Sequence, residues 1–313
     1  MDLTKKKILV LGGCGFIGGH VIEALLRFPA HITIADRSAR VKGAAPSDHA
    51  DHVSTVEMDV TSPDIREFIL SGGFDMILHF AGTASVPLSV EDPLQDFENT
   101  LQGTMRVLEC LRIHSPDTAM IFTSSAAVYG NPTRLPMRES DPTNPISPYG
   151  VAKLSVERYC SVYSRLYGLA TACIRPFSVY GPGQKKLLVY DLIRKLEADP
   201  DHLEMLGNGT ETRDFVYVGD LARSVVSIAK KGLLQGEVYN VASGTPMSTL
   251  EVARAICGAM GIEPAISFTG TSRSGDPVNW CADVSRLRAL DPTQGVTMME
   301  GIERTLEWYR STV

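Results

Sequence analysis

Apolar residues along this chain fall into short unbroken runs, and between them lie segments in which apolar positions recur three and four apart. The first run, KILVLGG at 7–13, ends in glycines and is followed by FIGGHVIEALLRF, whose apolar positions suit one face of a helix. HITIAD is a second run, ending in Asp36, and STVEMDV at 54–60 is a third. FDMILHFAG at 74–82 predicts a fourth strand, with a helix over ENTLQGTMRVLECLRIH behind it. TAMIFTSS at 118–125 predicts a fifth, before a long helix over PYGVAKLSVERYCSVYSRLYG, and ATACIRPFSVYG at 170–181 predicts a sixth.

Continuous apolar strands alternating with helices mean a sheet covered on both faces. The pattern therefore predicts an α/β protein, a doubly wound parallel sheet of the Rossmann kind. After about residue 180 the pieces become shorter and are punctuated by Pro and Gly. We expect a first domain over 1–180 and a smaller C-terminal α/β domain over 181–313, with segments near 214–242 crossing back to the first.

Composition changes this picture little. The 313 residues are 44% hydrophobic and 21% charged, as in an ordinary globular protein, and the net charge of -6 gives no nucleic-acid surface. Cysteines 14, 110, 160, 173, 257 and 281 are scattered, with neither a CxxC nor a His/Cys cluster at metal spacing, so no metal site is expected. The apolar run after the basic start MDLTKKK is too short for a signal sequence, and no segment reaches the roughly 20 apolar residues of a membrane span. The expectation is a soluble, cytoplasmic protein that binds neither nucleic acid nor membrane.

The first turn carries chemistry. Gly12, Gly15 and Gly18 in GGCGFIGG have the spacing GxxGxxG between a strand and a helix, where free N–H groups and the helix dipole suit a pyrophosphate. Asp36 ends the second strand, 18 residues beyond Gly18, where a carboxylate can accept hydrogen bonds from ribose hydroxyls and repel a 2′-phosphate. That favours NAD over NADP, although Arg37 beside it weakens the preference. Asp36 as a helix cap is the plainer alternative.

Tyr149 and Lys153 stand four apart on one face of the long helix, and Ser125 ends the fifth strand. A lysine ammonium near a tyrosine favours the phenolate, as would an oxidised nicotinamide, and a serine can bond the same substrate oxygen. Such a group removes a hydroxyl proton while a hydride leaves the carbon. Tyr and Lys at this spacing also occur by chance on amphipathic helices; the glycine loop and the strand ending TSS set this pair apart.

These motifs, together with MDV, HFAG, ENTLQGT, SSAAVYG, YGVAK, RPFSVYGPGQ, GNGTETRDFVYVGD and RSGDPVNWCAD, make the chain resemble an extended short-chain dehydrogenase/reductase of the nucleotide-sugar epimerase/dehydratase family, over nearly its whole length. The resemblance implies that Ser125, Tyr149 and Lys153 are the catalytic triad. It implies that Asp59 contacts the adenine, that Phe80, Ala81 and Gly82 line the cofactor, and that Asn99 lies near the pyrophosphate. Phe16, Ile17, Val60, Ser124 and Pro176 are also assigned to the cofactor surface. Arg213 and Arg273 would hold the substrate's diphosphate, with Asp276 toward the nucleoside.

Within such a family, 4,6-dehydratases carry an Asp-Glu pair after the catalytic hydroxyl, where this chain has Ala126 and Ala127. The expectation is therefore a 4-epimerase acting on UDP-glucose and UDP-galactose. A 4-ketoreductase, a dehydratase or decarboxylase, and a non-catalytic NAD sensor are the rivals. Ser178 replaces a frequent Asn, Lys185 and Lys186 stand where a substrate-contacting Asn is usual, and Trp280 falls at a gatekeeper position that disfavours N-acetylhexosamines. Lys186, Ser178 and Trp280 are accordingly assigned to the substrate. The helices over 98–113 and 148–167 would pair with a second copy in a homodimer, using residues such as Val156, Tyr159, Val162 and Leu166.

Overall fold

The computed structural model describes residues 1–37, 41, 51–271 and 279–312. Its strands are β1 (Lys7–Leu11), β2 (His31–Asp36), β3 (Val53–Glu57), β4 (Met76–His79), β5 (Ala119–Thr123), β6 (Thr171–Pro176), β7 (Ser178–Tyr180), β8 (His202–Met205), β9 (Thr212–Tyr217), β10 (Gln235–Val241), β11 (Pro246–Ser248) and β12 (Ala265–Phe268). The helices are α1 (Phe16–Leu25), α2 (Ile65–Gly72), α3 (Val86–Glu91), α4 (Pro93–Phe97), α5 (Gly103–His114), α6 (Pro148–Tyr167), α7 (Leu187–Ala198), α8 (Val218–Lys231), α9 (Thr249–Met260), α10 (Ser285–Leu290) and α11 (Met298–Thr312).

Seven strands form one parallel sheet in the order β10-β6-β5-β4-β1-β2-β3. The doubly wound α/β fold expected from the apolar runs is what forms. Helices α1 and α8 bury Val21, Ile22, Leu25, Leu221 and Val225 on one face of the sheet. On the other face, α2, α5 and α6 bury Ile69, Val107, Leu111, Val156 and Cys160. Central strands such as β5 and β6 are buried at every position, which is why they read as unbroken apolar runs.

The sixth run does not make one strand. It breaks at Phe177, whose N–H bonds to Val241, and β7 leaves to join a small sheet in the order β11-β9-β7. A further core gathers α7, α9 and α11 around Tyr180 and Phe215. The expected helix over 98–113 opens as a π-helical turn, Glu98–Gln102, before α5.

Candidate active site

Chain order reverses in the sheet between β1 and β4, and the loops leaving these two strands meet at their C-terminal ends. Gly12 follows β1 with a φ of +77°, and a Cβ there would lie 2.6 Å from the Ala81 backbone nitrogen. A Cβ on Gly18 would come within 2.5 Å of the Gly12 oxygen, so glycine is what lets α1 start against the loop. Gly15 caps α1 without a side-chain hydrogen bond, and no acidic residue stands in the first turn. The amides at Phe16 and Ile17 are thereby left to anionic oxygens.

Asp36 accepts from the Cys14 amide at 3.1 Å, which holds the glycine loop against β2 and sets the carboxylate at its rim. Arg37 donates to Asn99 Oδ1 at 3.5 Å, drawing the π-helical turn toward the same edge. Asp59 accepts from the amide and hydroxyl of Thr61, both at 2.8 Å, and Val60 is buried against Gly103. Phe80 donates from its amide to Leu11 at 2.8 Å, and Gly82 has a φ of +131° above Thr100. Donor amides, a glycine cradle that any Cβ would fill, and a carboxylate at the rim fit the diphosphate and ribose of a dinucleotide.

Beside this cleft, Ser147 caps α6 by accepting from Gly150 at 3.2 Å, with Pro148 in the first turn. The helix so started carries Tyr149 to the end of β5, and the Tyr149 amide is fixed by Ser89 of α3 at 3.1 Å. The Ser125 side chain is the polar neighbour that acts on the Tyr149 hydroxyl and lowers its pKa. Ser125 itself opens the short 3-10 turn Ala126–Tyr129, accepting from Ala127 at 3.1 Å. Lys153, one turn along α6, is buried and donates to the Thr123 carbonyl at 2.8 Å, with its nitrogen 5.7 Å from the centre of the Tyr149 ring.

The electrostatics differ from the sequence expectation that Lys153 holds Tyr149 down. Burial pushes the Tyr149 hydroxyl up; the Ser125 side chain opposes this, and the charge of Asp96 adds to it. Lys153 is pulled down to about 8, chiefly by burial, while Asp96 and Cys173 act the other way. The lysine ammonium points at a carbonyl rather than at the phenol, so desolvation dominates both groups.

The substrate side is assembled from distant segments. Parallel pairing of Ser178 with Phe215 sets β7 beside the strand bearing Arg213, and Thr212 bridges to Asn279. Trp280 packs edge-on against Phe177 at 5.8 Å, and its indole donates to Gly130, just past the turn that Ser125 opens, at 3.4 Å. The segments that carry Ser178, Arg213 and Trp280 therefore run beside one another. The Lys186 ammonium reaches instead to the Ala84 carbonyl at 3.0 Å, tying the start of α7 to the loop after β4. Arg273 and Asp276 lie outside the described residues.

The model of the NAD dependent epimerase/dehydratase family matches residues 8–242. The chain belongs to this family. A UDP-glucose 4-epimerase of Mycolicibacterium smegmatis is 31% identical over 311 residues, covering 97% of this chain and 99% of that protein. The structure of a Thermus thermophilus UDP-glucose 4-epimerase with NAD is 30% identical and superposes with a TM-score of 0.86, over 98% of this chain and 100% of that one. A Bacillus cereus UDP-glucuronic acid 4-epimerase with UDP-glucuronic acid and NAD is 29% identical, with a TM-score of 0.88 and the same coverage. This family member is thus an NAD-dependent enzyme of the nucleotide-sugar epimerase group.

Some residues are placed otherwise than the sequence predicts. The Ser124 hydroxyl, assigned to the cofactor, turns into the protein and donates to Glu157 Oε1 at 2.5 Å. Val156, expected at a subunit interface, is core, because it shares the sheet-facing stripe of α6 with Lys153 and Cys160. Tyr159 and Leu166 of the same helix are exposed. Ser89 and the buried pair Glu157–Arg175 were missed. The one sequence signal for Glu157 is its place four residues beyond Lys153, the same step that separates Lys153 from Tyr149.

Proposed function

We propose that the chain interconverts UDP-glucose and UDP-galactose as a 4-epimerase. The observation that carries this reading is Lys153 donating to Thr123 at the end of β5, with the centre of the Tyr149 ring 5.7 Å from its nitrogen and Ser125 two residues beyond Thr123, beside the glycine loop. Bound NAD supplies the acceptor and the returning donor of one hydride. Tyr149 takes the C4 hydroxyl proton as Ser125 holds the oxygen, and later gives it back. Lys153 would hold the nicotinamide ribose and add positive charge below the site. The 4-keto sugar turns about its diphosphate linkage, held by Arg213, before reduction on the other face. Ala126 and Ala127 of the 3-10 turn have no proton to move, which favours epimerisation over loss of a 6-hydroxyl.

The wall formed by Trp280 and Phe177 supports a preference for plain hexoses over N-acetylhexosamines. A homodimer is the proposed assembly: Leu94, Phe97, Val151, Tyr159 and Leu166 form an exposed apolar face on α4 and α6. All six cysteines are free, which fits the cytoplasm. Purified protein is incubated, without added cofactor, with UDP-glucose or UDP-galactose and followed by proton NMR. Interconversion that Tyr149→Phe abolishes supports the reading. Product formed only from a 4-keto sugar with reduced cofactor would make the enzyme a reductase instead.

A further inference from the structure

Three residues of α6 at four-residue steps meet three successive residues at the end of β5. Lys153 donates to Thr123 and Glu157 accepts from Ser124, while Ser125 is the polar side chain that acts on the Tyr149 hydroxyl. The contact between Glu157 and Ser124 is anchored most deeply. Glu157 Oε1 also accepts from Arg175 Nε at 2.9 Å, and Oε2 accepts from Arg175 Nη2 at 2.7 Å. Ser124, Glu157 and Arg175 are 2%, 3% and 3% exposed. The Arg175 guanidinium then lies 4.6 Å from the centre of the Tyr129 ring, and the Tyr129 hydroxyl donates to Asn240 Oδ1 at 2.7 Å.

Ser125 stands between the two residues this pair grips. Ser124 precedes it, and Tyr129 closes the 3-10 turn that it opens. A buried ion pair is a weak source of stability, because desolvation offsets the attraction, but its forked geometry fixes position well. We propose that Glu157, paired with Arg175, is a positioning residue that sets Ser125 against Tyr149 by holding both flanks of the serine. This rests on the reading of Ser125 and Tyr149 as catalytic.

The test uses the NAD-loaded enzyme carrying Glu157→Met together with Arg175→Met, which removes both charges and keeps the volume. We expect cooperative melting, wild-type NAD content and KM within about twofold, but kcat lower by about 10- to 100-fold. Ser125 acts to lower the pKa of Tyr149, so a displaced serine lets it rise and moves the acid limb of kcat to higher pH. Ser125→Ala should show the same shift, and the triple variant should lose little more. If the paired variant does not fold, Ser124→Ala leaves the ion pair intact; it should lower kcat about tenfold, with rescue by Ser124→Thr. An unshifted acid limb, or losses that add to those of Ser125→Ala, overturns the inference. Full activity in Ser125→Ala overturns the underlying reading and this inference with it.

Discussion

The Lys153 ammonium is buried against the carbonyl oxygen of Thr123, to which it donates at 2.8 Å. Burial there lowers its pKa from 10.5 to about 8. Between those values the unfolded chain holds a proton that the folded protein has lost, so stability rises with pH across the window. Below the folded value the cost of burying the ammonium is fully present, roughly 3 kcal/mol. Lys153→Met should therefore melt higher than wild type near neutral pH, with the gap closing as pH rises toward the unfolded value. Its turnover should fall at least about 100-fold. Equal gaps at both pH values in thermal melts would remove the desolvation argument.

Tyr149→Phe removes only the hydroxyl on which Ser125 acts. Turnover should drop by about 10²–10⁴, the range for a lost general base, with NAD content and melting little changed. The decisive comparison is kcat against bound NAD read from absorbance.

Gly12→Ala forces a Cβ against the Ala81 amide at a φ of +77°. The two loops must separate, so the purified variant should carry less than about a tenth of the wild-type NAD and lose about 1–2 kcal/mol. Wild-type NAD content would show that the loops can part without cost to the cleft.

Trp280→Ser removes the ring packed on Phe177 and bonded to Gly130. Turnover of UDP-N-acetylglucosamine relative to UDP-glucose should rise about tenfold or more. Native protein that uses both substrates equally well would contradict the wall assigned to Trp280.

Leu94→Asp combined with Leu166→Asp places charge on two of the most exposed apolar side chains of α4 and α6, 66% and 69% exposed in the wild type. Light scattering should show wild-type dimer and variant monomer, without loss of secondary structure. A wild-type monomer would leave this face unexplained.

Much of this was legible in the sequence because it is local. The parallel strands are buried on both faces, so they appear as unbroken apolar runs, and the glycine spacing follows from one tight turn before α1. Tyr149 and Lys153 were legible because helical periodicity alone puts them on one face. The break at Phe177 was not, since both β6 and β7 are good strand sequence and only their pairing partners differ.

By itself the sequence determined the α/β class, the cofactor loop and the three catalytic candidates, because each depends on short-range periodicity or on residues whose backbone freedom is unusual. Tertiary structure decided what lies between distant segments. It put β10 beside β6, Ser89 under Tyr149, Trp280 against the turn after Ser125, and the Ser124 hydroxyl on Glu157. It also set burial against the lowering expected at Tyr149, since burial is a property of the packed fold that no helical spacing reveals.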